Sequence, residues 1–139
     1  MEFVKSMPKL RTILLAGVCL VLFSWMAPMS GYAVDYYVDA SAVAEGDGSS
    51  GSPWKTLHNA ITQLNSFSPG TYTLHVAAGT YNHDGNGELD LPLTITQSNL
   101  TLDGAGSATT VIDGFNAGSW TEGVKITASD VTIKNLGIT

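Results

Sequence analysis

Along most of this chain Val, Ile, Thr and Tyr recur in bursts of three to five residues, separated by Gly, Asn, Asp and Ser. That is the pattern of short strands joined by turns. It predicts strands over residues 35–39, 72–77, 93–95, 100–102, 110–112, 124–126 and 131–133. In one place the period changes. Trp54, Leu57, Ala60, Ile61 and Leu64 fall on a single helical face, which predicts an amphipathic helix over residues 53–64. Ser52 is its candidate N-cap and Pro53 its first helical residue, and Pro69-Gly70 closes the segment with turn chemistry.

The pattern also repeats. Ile95-Thr96-Gln97-Ser98-Asn99-Leu100-Thr101-Leu102 and Ile126-Thr127-Ala128-Ser129-Asp130-Val131-Thr132-Ile133 match as I-T-x-S-[ND]-[LV]-T-[LI] at an offset of 31 residues. Each copy sets two short strands around a polar corner, and a third strand follows the first copy at residues 110–112. Three short strands per repeat make the unit of a parallel β-helix, in which equivalent strands of successive coils pair in parallel. A β-sandwich also has short strands and regular turns, but it explains neither the 31-residue self-similarity nor a lone helix ahead of the repeats. A solenoid requires an atypical element over its open end. The expected fold class is therefore all-β: a parallel β-helix with a short N-terminal capping α-helix.

The first thirty-odd residues have a different character. Lys5, Lys9 and Arg11 precede an unbroken apolar run over residues 13–23, and Gly31-Tyr32-Ala33 places small residues at the −3 and −1 positions of a cleavage site. This is the organisation of a secretory signal peptide over residues 1–33, and it predicts an extracellular or cell-surface protein. Ser24, Pro28 and Ser30 break the run short of the ~20 apolar residues a spanning helix needs, so no stable membrane anchor is expected after cleavage. Val18 rather than a small residue precedes Cys19, which argues against lipidation. Residues 34–71 then supply the first strand, a Gly-rich loop and the capping helix, and residues 72–139 the first coils.

Cleavage changes the composition. Cys19, the only cysteine, leaves, so an exported chain must do without disulfides. Three of the six basic residues leave as well, and Lys55, Lys125 and Lys134 then face eleven of the original twelve carboxylates. Such a surface repels nucleic acid and anionic lipid, whose phosphates require clustered Lys and Arg. Extracellular polysaccharide is the partner it leaves open.

Several local patterns carry candidate chemistry. Asp84, Asn86, Glu88 and Asp90 place oxygens at alternate positions, like the start of a calcium loop, and make Ca2+ the candidate ion. The loop is not an EF-hand, because the sixth position is Leu89 and the twelfth Ile95, where the sharp turn needs glycine and the ion a bidentate glutamate. Gly46-Asp47-Gly48-Ser49-Ser50-Gly51 fits G-x-G-x-x-G but lacks an acid ~20 residues on to hold a ribose, and reads as a flexible loop into the helix. Asp103 and Asp113 each precede glycine, which suits strand corners better than a hydrolase pair. Lys125 and Lys134 are the candidate bases of a lyase, although no arginine accompanies them beyond Arg11. His58 and His75 have no triad partners in view, and Asn99-Leu100-Thr101 fits a glycosylation sequon inside a predicted corner. Trp120, among Gly118, Ser119 and Gly123 in the longest insertion, is the candidate platform for stacking a sugar ring.

Tyr36-Tyr37-Val38-Asp39, the Gly-rich loop into Pro53-Trp54-Lys55-Thr56-Leu57, Val76-Ala77-Ala78-Gly79-Thr80-Tyr81, Leu102-Asp103-Gly104-Ala105-Gly106 and Val111-Ile112-Asp113-Gly114, in that order, resemble the pectate-lyase-like superfamily. The resemblance covers essentially all of the exported part. It implies a right-handed parallel β-helix, a scaffold shared by polysaccharide lyases, glycoside hydrolases, adhesins and non-catalytic surface proteins, so fold does not decide function. Two expectations follow: a carbohydrate-active enzyme with its active centre beyond Thr139, or a non-catalytic platform for binding. The strand pattern runs into Gly137-Ile138-Thr139 without a cap, which predicts an incomplete stack, inactive as it stands, that self-associates through its open C-terminal end.

Overall fold

The computed structural model describes residues 31–88, 92–114 and 123–139. The segment 1–30, Asp90 and Trp120 lie outside them. Among the described residues the chain is mainly β, with one short helix, in the order β1 (Val34–Val38), α1 (Leu57–Asn65), β2 (Tyr72–Val76), β3 (Gly79–Tyr81), β4 (Leu93–Ile95), β5 (Leu100–Gly104), β6 (Thr110–Ile112), β7 (Val124–Ile126), β8 (Thr132–Lys134) and β9 (Gly137–Ile138). Strand β3 is absent from the strands the hydrophobic pattern predicts, whereas β9 falls in the strand pattern that runs into Gly137-Ile138-Thr139.

Every pair of these strands is parallel, and they form three sheets ordered β1-β2-β5-β8, β3-β6-β9 and β4-β7. A parallel pair needs a long crossover between its strands. Here the crossover from β2 to β5 runs through β3 and β4, and that from β5 to β8 through β6 and β7. Leu93 pairs with Val124, and Leu102 with Ile133, so the 31-residue offset of the repeated octets is also the register of their strands. Gly79 of β3 pairs with Thr110 at the same offset, whereas β2 departs from it, since Tyr72 pairs with Leu100, 28 residues on.

Alternation assigns the two faces. In β2, Tyr72, Leu74 and Val76 are buried while Thr73 and His75 look outward, and in β5 Leu100 and Leu102 are buried while Thr101 and Asp103 are not. Across the sheet, Tyr36, Leu74, Leu102 and Ile133 stand in register and build one column of the core. The polar corners are specified as well: Asn99 and Asp130, equivalent in the repeat, both have φ of 56°. Asn and Asp tolerate that left-handed conformation best among residues with a side chain. The neighbouring Ser98 and Ser129 hydroxyls bond each other at 3.3 Å.

The helix starts later than its stripe predicts. Thr56, not Ser52, is the N-cap, and its hydroxyl accepts the Asn59 N–H. Pro53 and Trp54 remain outside the helix because Trp54 extends the sheet. It bridges Val38 in parallel, donates its N–H to the Tyr37 carbonyl at 3.0 Å and accepts the Asp39 N–H at 2.8 Å. The indole is buried and stacked on Tyr36 with ring centroids 5.2 Å apart. Satisfying the open edge of β1 and burying an indole outweigh the helix-start propensity of Ser-Pro. The Gly-rich loop is correspondingly tied down: Gly46, Asp47 and Gly48 donate backbone bonds to Pro53 and Ser52. Gly48, at φ 84°, passes so close to the indole that a Cβ would lie 2.6 Å from it.

Leu57, Ala60, Ile61 and Leu64 are buried as the stripe requires, and the helix packs on β4. Its last residue, Asn65, donates to the Thr94 carbonyl at 2.8 Å and accepts the Thr96 and Gln97 N–H groups at 2.9 and 3.1 Å. One amide thus satisfies the strand edge opposite the one that β7 pairs. No helix among the described residues is long and apolar enough to cross a membrane.

Candidate functional site

The outward face of the β1-β2-β5-β8 sheet gathers more chemistry than any pattern in the sequence suggests. Tyr37, His75, Asp103 and Lys134 stand in register across its four strands. The Tyr37 and His75 rings stack at 4.9 Å and 23°. His75 Nε2 lies 3.2 Å from Asp35 Oδ1, one row below on β1. Lys134 Nζ is 3.0 Å from Asp103 Oδ2, and Asn135 Nδ2 donates to Asp103 Oδ1 at 2.8 Å. Those bonds, Asn135 first and Lys134 second, hold the Asp103 carboxyl below the usual carboxylate range.

Above this row an open cleft of about 340 Å³ lies between the sheet and the Gly-rich loop, with Tyr37, Asp39, His75 and Asp103 on the sheet side and Ser50 and Pro53 on the loop side. Asp39 is set by its own turn, where Oδ1 accepts the Ser41 N–H at 2.8 Å and the Ser41 hydroxyl at 2.6 Å. An aromatic ring beside fixed carboxylates, an imidazole and an amide is the equipment for recognising hydroxyl-rich rings, which stack on the apolar face and bond at the edge.

The calcium-loop candidates are dispersed. Asp84 is exposed beside His83 at 3.1 Å. Asn86 and Glu88 are buried and face the start of α1. Glu88 accepts the N–H groups of Leu57 and His58, and Asn86 Nδ2 donates to the Lys55 carbonyl at 3.2 Å. Burial, opposed by the His58 and Leu57 N–H bonds, pushes the Glu88 carboxyl up. Asp90 lies outside the described residues, and among those described no three His, Cys, Asp or Glu side chains gather to hold a metal ion.

The remaining candidates separate too. Asp113 follows β6 and accepts the Asn82 amide at 3.3 Å, in a different sheet from Asp103. Lys125 sits on β7 and Lys134 on β8, again in different sheets. His58 contributes its backbone N–H to Glu88, and Trp120 is outside the described residues. The alternation of β2 is the signal that places His75 outward. Its partners Tyr37 and Asp103 were hidden because β1 and β2 do not share the 31-residue motif. Comparison of the chain with family models, with curated proteins and with solved structures finds no match in any of the three.

Proposed function

We propose that this chain is an exported right-handed parallel β-helix of the pectate-lyase-like kind, and that the outward face of its four-stranded sheet binds an extracellular polysaccharide. The pairing of β2, β3 and β4 with β5, β6 and β7 in the same order supports the stack, and the 31-residue register at β4 and β5 supports its repeat. The n-region, apolar run and small-residue site of residues 1–33 support export.

The observation that carries the binding reading is the in-register row Tyr37, His75, Asp103 and Lys134, the first three of which line an open cleft. Polar and aromatic side chains repeated at the ~4.8 Å strand spacing offer an extended ligand successive contacts across the sheet. Titration of the secreted protein with a panel of oligosaccharides, read by calorimetry, tests this. Tyr37→Ala is expected to weaken the best ligand by about tenfold or more, in line with the loss of one stacking platform, with the circular dichroism unchanged. Full affinity in a folded Tyr37→Ala protein overturns the assignment.

A further inference from the structure

Two carboxylates line the cleft, Asp39 and Asp103, and charge matching separates them. Asp103 is paired with Lys134. Asp39 lines the same cleft and has no cationic partner among the described residues. Its contacts are the Ser41 N–H and hydroxyl, both on Oδ1, which fix the side chain's orientation without neutralising it. Tyr37, two residues earlier on β1, lines the cleft beside it.

Resting on the polysaccharide reading above, we infer that the cleft takes a chain of amino sugars with free amines, the ammonium group of one residue pairing with Asp39 while its ring lies against Tyr37. A polyuronate brings a carboxylate on each sugar towards Asp39 and Asp103, in an exported part where three lysines face eleven carboxylates. Like charges brought together repel, and both His75 and Lys134 are already engaged. A neutral glycan escapes the repulsion but leaves Asp39 without a counter-charge. A free-amine glycan supplies it, and Asp39, held in place by Ser41, pays little ordering entropy to receive it.

The test compares four probes on the secreted protein: β-1,4-linked glucosamine oligomers, their N-acetylated counterparts, neutral cello-oligosaccharides and oligogalacturonides. The glucosamine oligomers are expected to bind tightest, by about three- to fivefold over the N-acetylated form, the range of one exposed ion pair. That margin should shrink as salt is raised. Asp39→Asn keeps the Ser41 acceptor and removes the charge, so it should abolish the margin between the amine and N-acetylated oligomers. Equal binding of amine and N-acetylated probes, a preference for oligogalacturonides, or a margin that survives in Asp39→Asn overturns the amino-sugar inference and leaves the polysaccharide reading standing. Failure of all four probes to bind the folded wild type overturns the polysaccharide reading itself.

Discussion

Two carboxylates reach the start of α1 from opposite directions along the chain, although the helix carries no acidic residue in its own first turn. Glu45, from the loop after β1, accepts the Lys55 N–H, the Thr56 hydroxyl and the Asn59 amide. Glu88, from the turn after β3, accepts the Leu57 and His58 N–H groups. A helix N-terminus offers unpaired N–H groups and a positive dipole end, so negative charge is favoured there. The two sites differ in burial. Glu88 is 4% exposed, and burial raises its pKa despite the N–H bonds. For Glu45 burial is the largest single influence and also pulls upward, but the bonds from Thr56, Lys55 and Asn59 together outweigh it and leave the pKa lowered. The stabilities these groups confer therefore depend on pH with opposite signs. That of Glu88 is fully present below its ordinary value of 4.5 and fades as pH rises through the raised value. That of Glu45 is present above 4.5 and is lost as pH falls through the lowered value. In denaturation curves from about pH 3 to 7, the destabilisation caused by Glu88→Gln should shrink with rising pH and that caused by Glu45→Gln should grow. Parallel trends for the two variants would refute the assignment. Glu88→Ala orphans two N–H groups and should cost about 1–3 kcal/mol.

At the scale of the element, β5 shows how tightly neighbouring strands constrain each other. Leu102 is fully buried between Leu74 and Ile133, its partners in register. Leu102→Ala should therefore cost about 2–5 kcal/mol, as large-to-small changes in a packed core do. Two residues on, Gly104 meets the corner after β8: a Cβ there would lie 2.2 Å from the Asn135 carbonyl oxygen. That obstacle is backbone and cannot rotate away, so Gly104→Ala should cost about 1–3 kcal/mol, the range of overpacking. Gly51, with nothing within 4 Å of the same added atom, is the control, and Gly51→Ala should leave the urea midpoint unchanged. A neutral Gly104→Ala would mean that β5 and the Asn135 corner are further apart than described.

At the scale of the molecule, the proposed β-helix would make stability close to a sum over neighbouring coils, as in repeat proteins. Residues 100–130 span one full 31-residue step, from Leu100 to the corner residue Asp130. If the proposed β-helix is right, a second copy of that segment inserted after Asp130 should pair on both sides, preserve the circular dichroism and raise the melting temperature. A scrambled insert of the same length should lower it. Equal effects of the two inserts would rule out the stacking register.

The features legible in the chain are those whose cause is local or periodic. The repeated octet foretold the register of β4 with β7 and of β5 with β8, because in-register strands place like residues over like and Asn99 and Asp130 occupy the same left-handed corner. The apolar stripe from Leu57 to Leu64 foretold the buried face of α1. The rest was decided by which loops bring which segments together. Alternating oxygens at Asp84, Asn86 and Glu88 read the same whether they face a cation or a helix N-terminus, and only the approach of α1 turns Asn86 and Glu88 inward. Ser-Pro before Trp54 reads as a helix start until the open edge of β1 claims the backbone of Trp54. Tyr37, His75 and Asp103 share no motif and lie far apart in the chain. They form one row because β1, β2 and β5 pair in parallel, a long-range hydrogen-bonding register that no local pattern encodes.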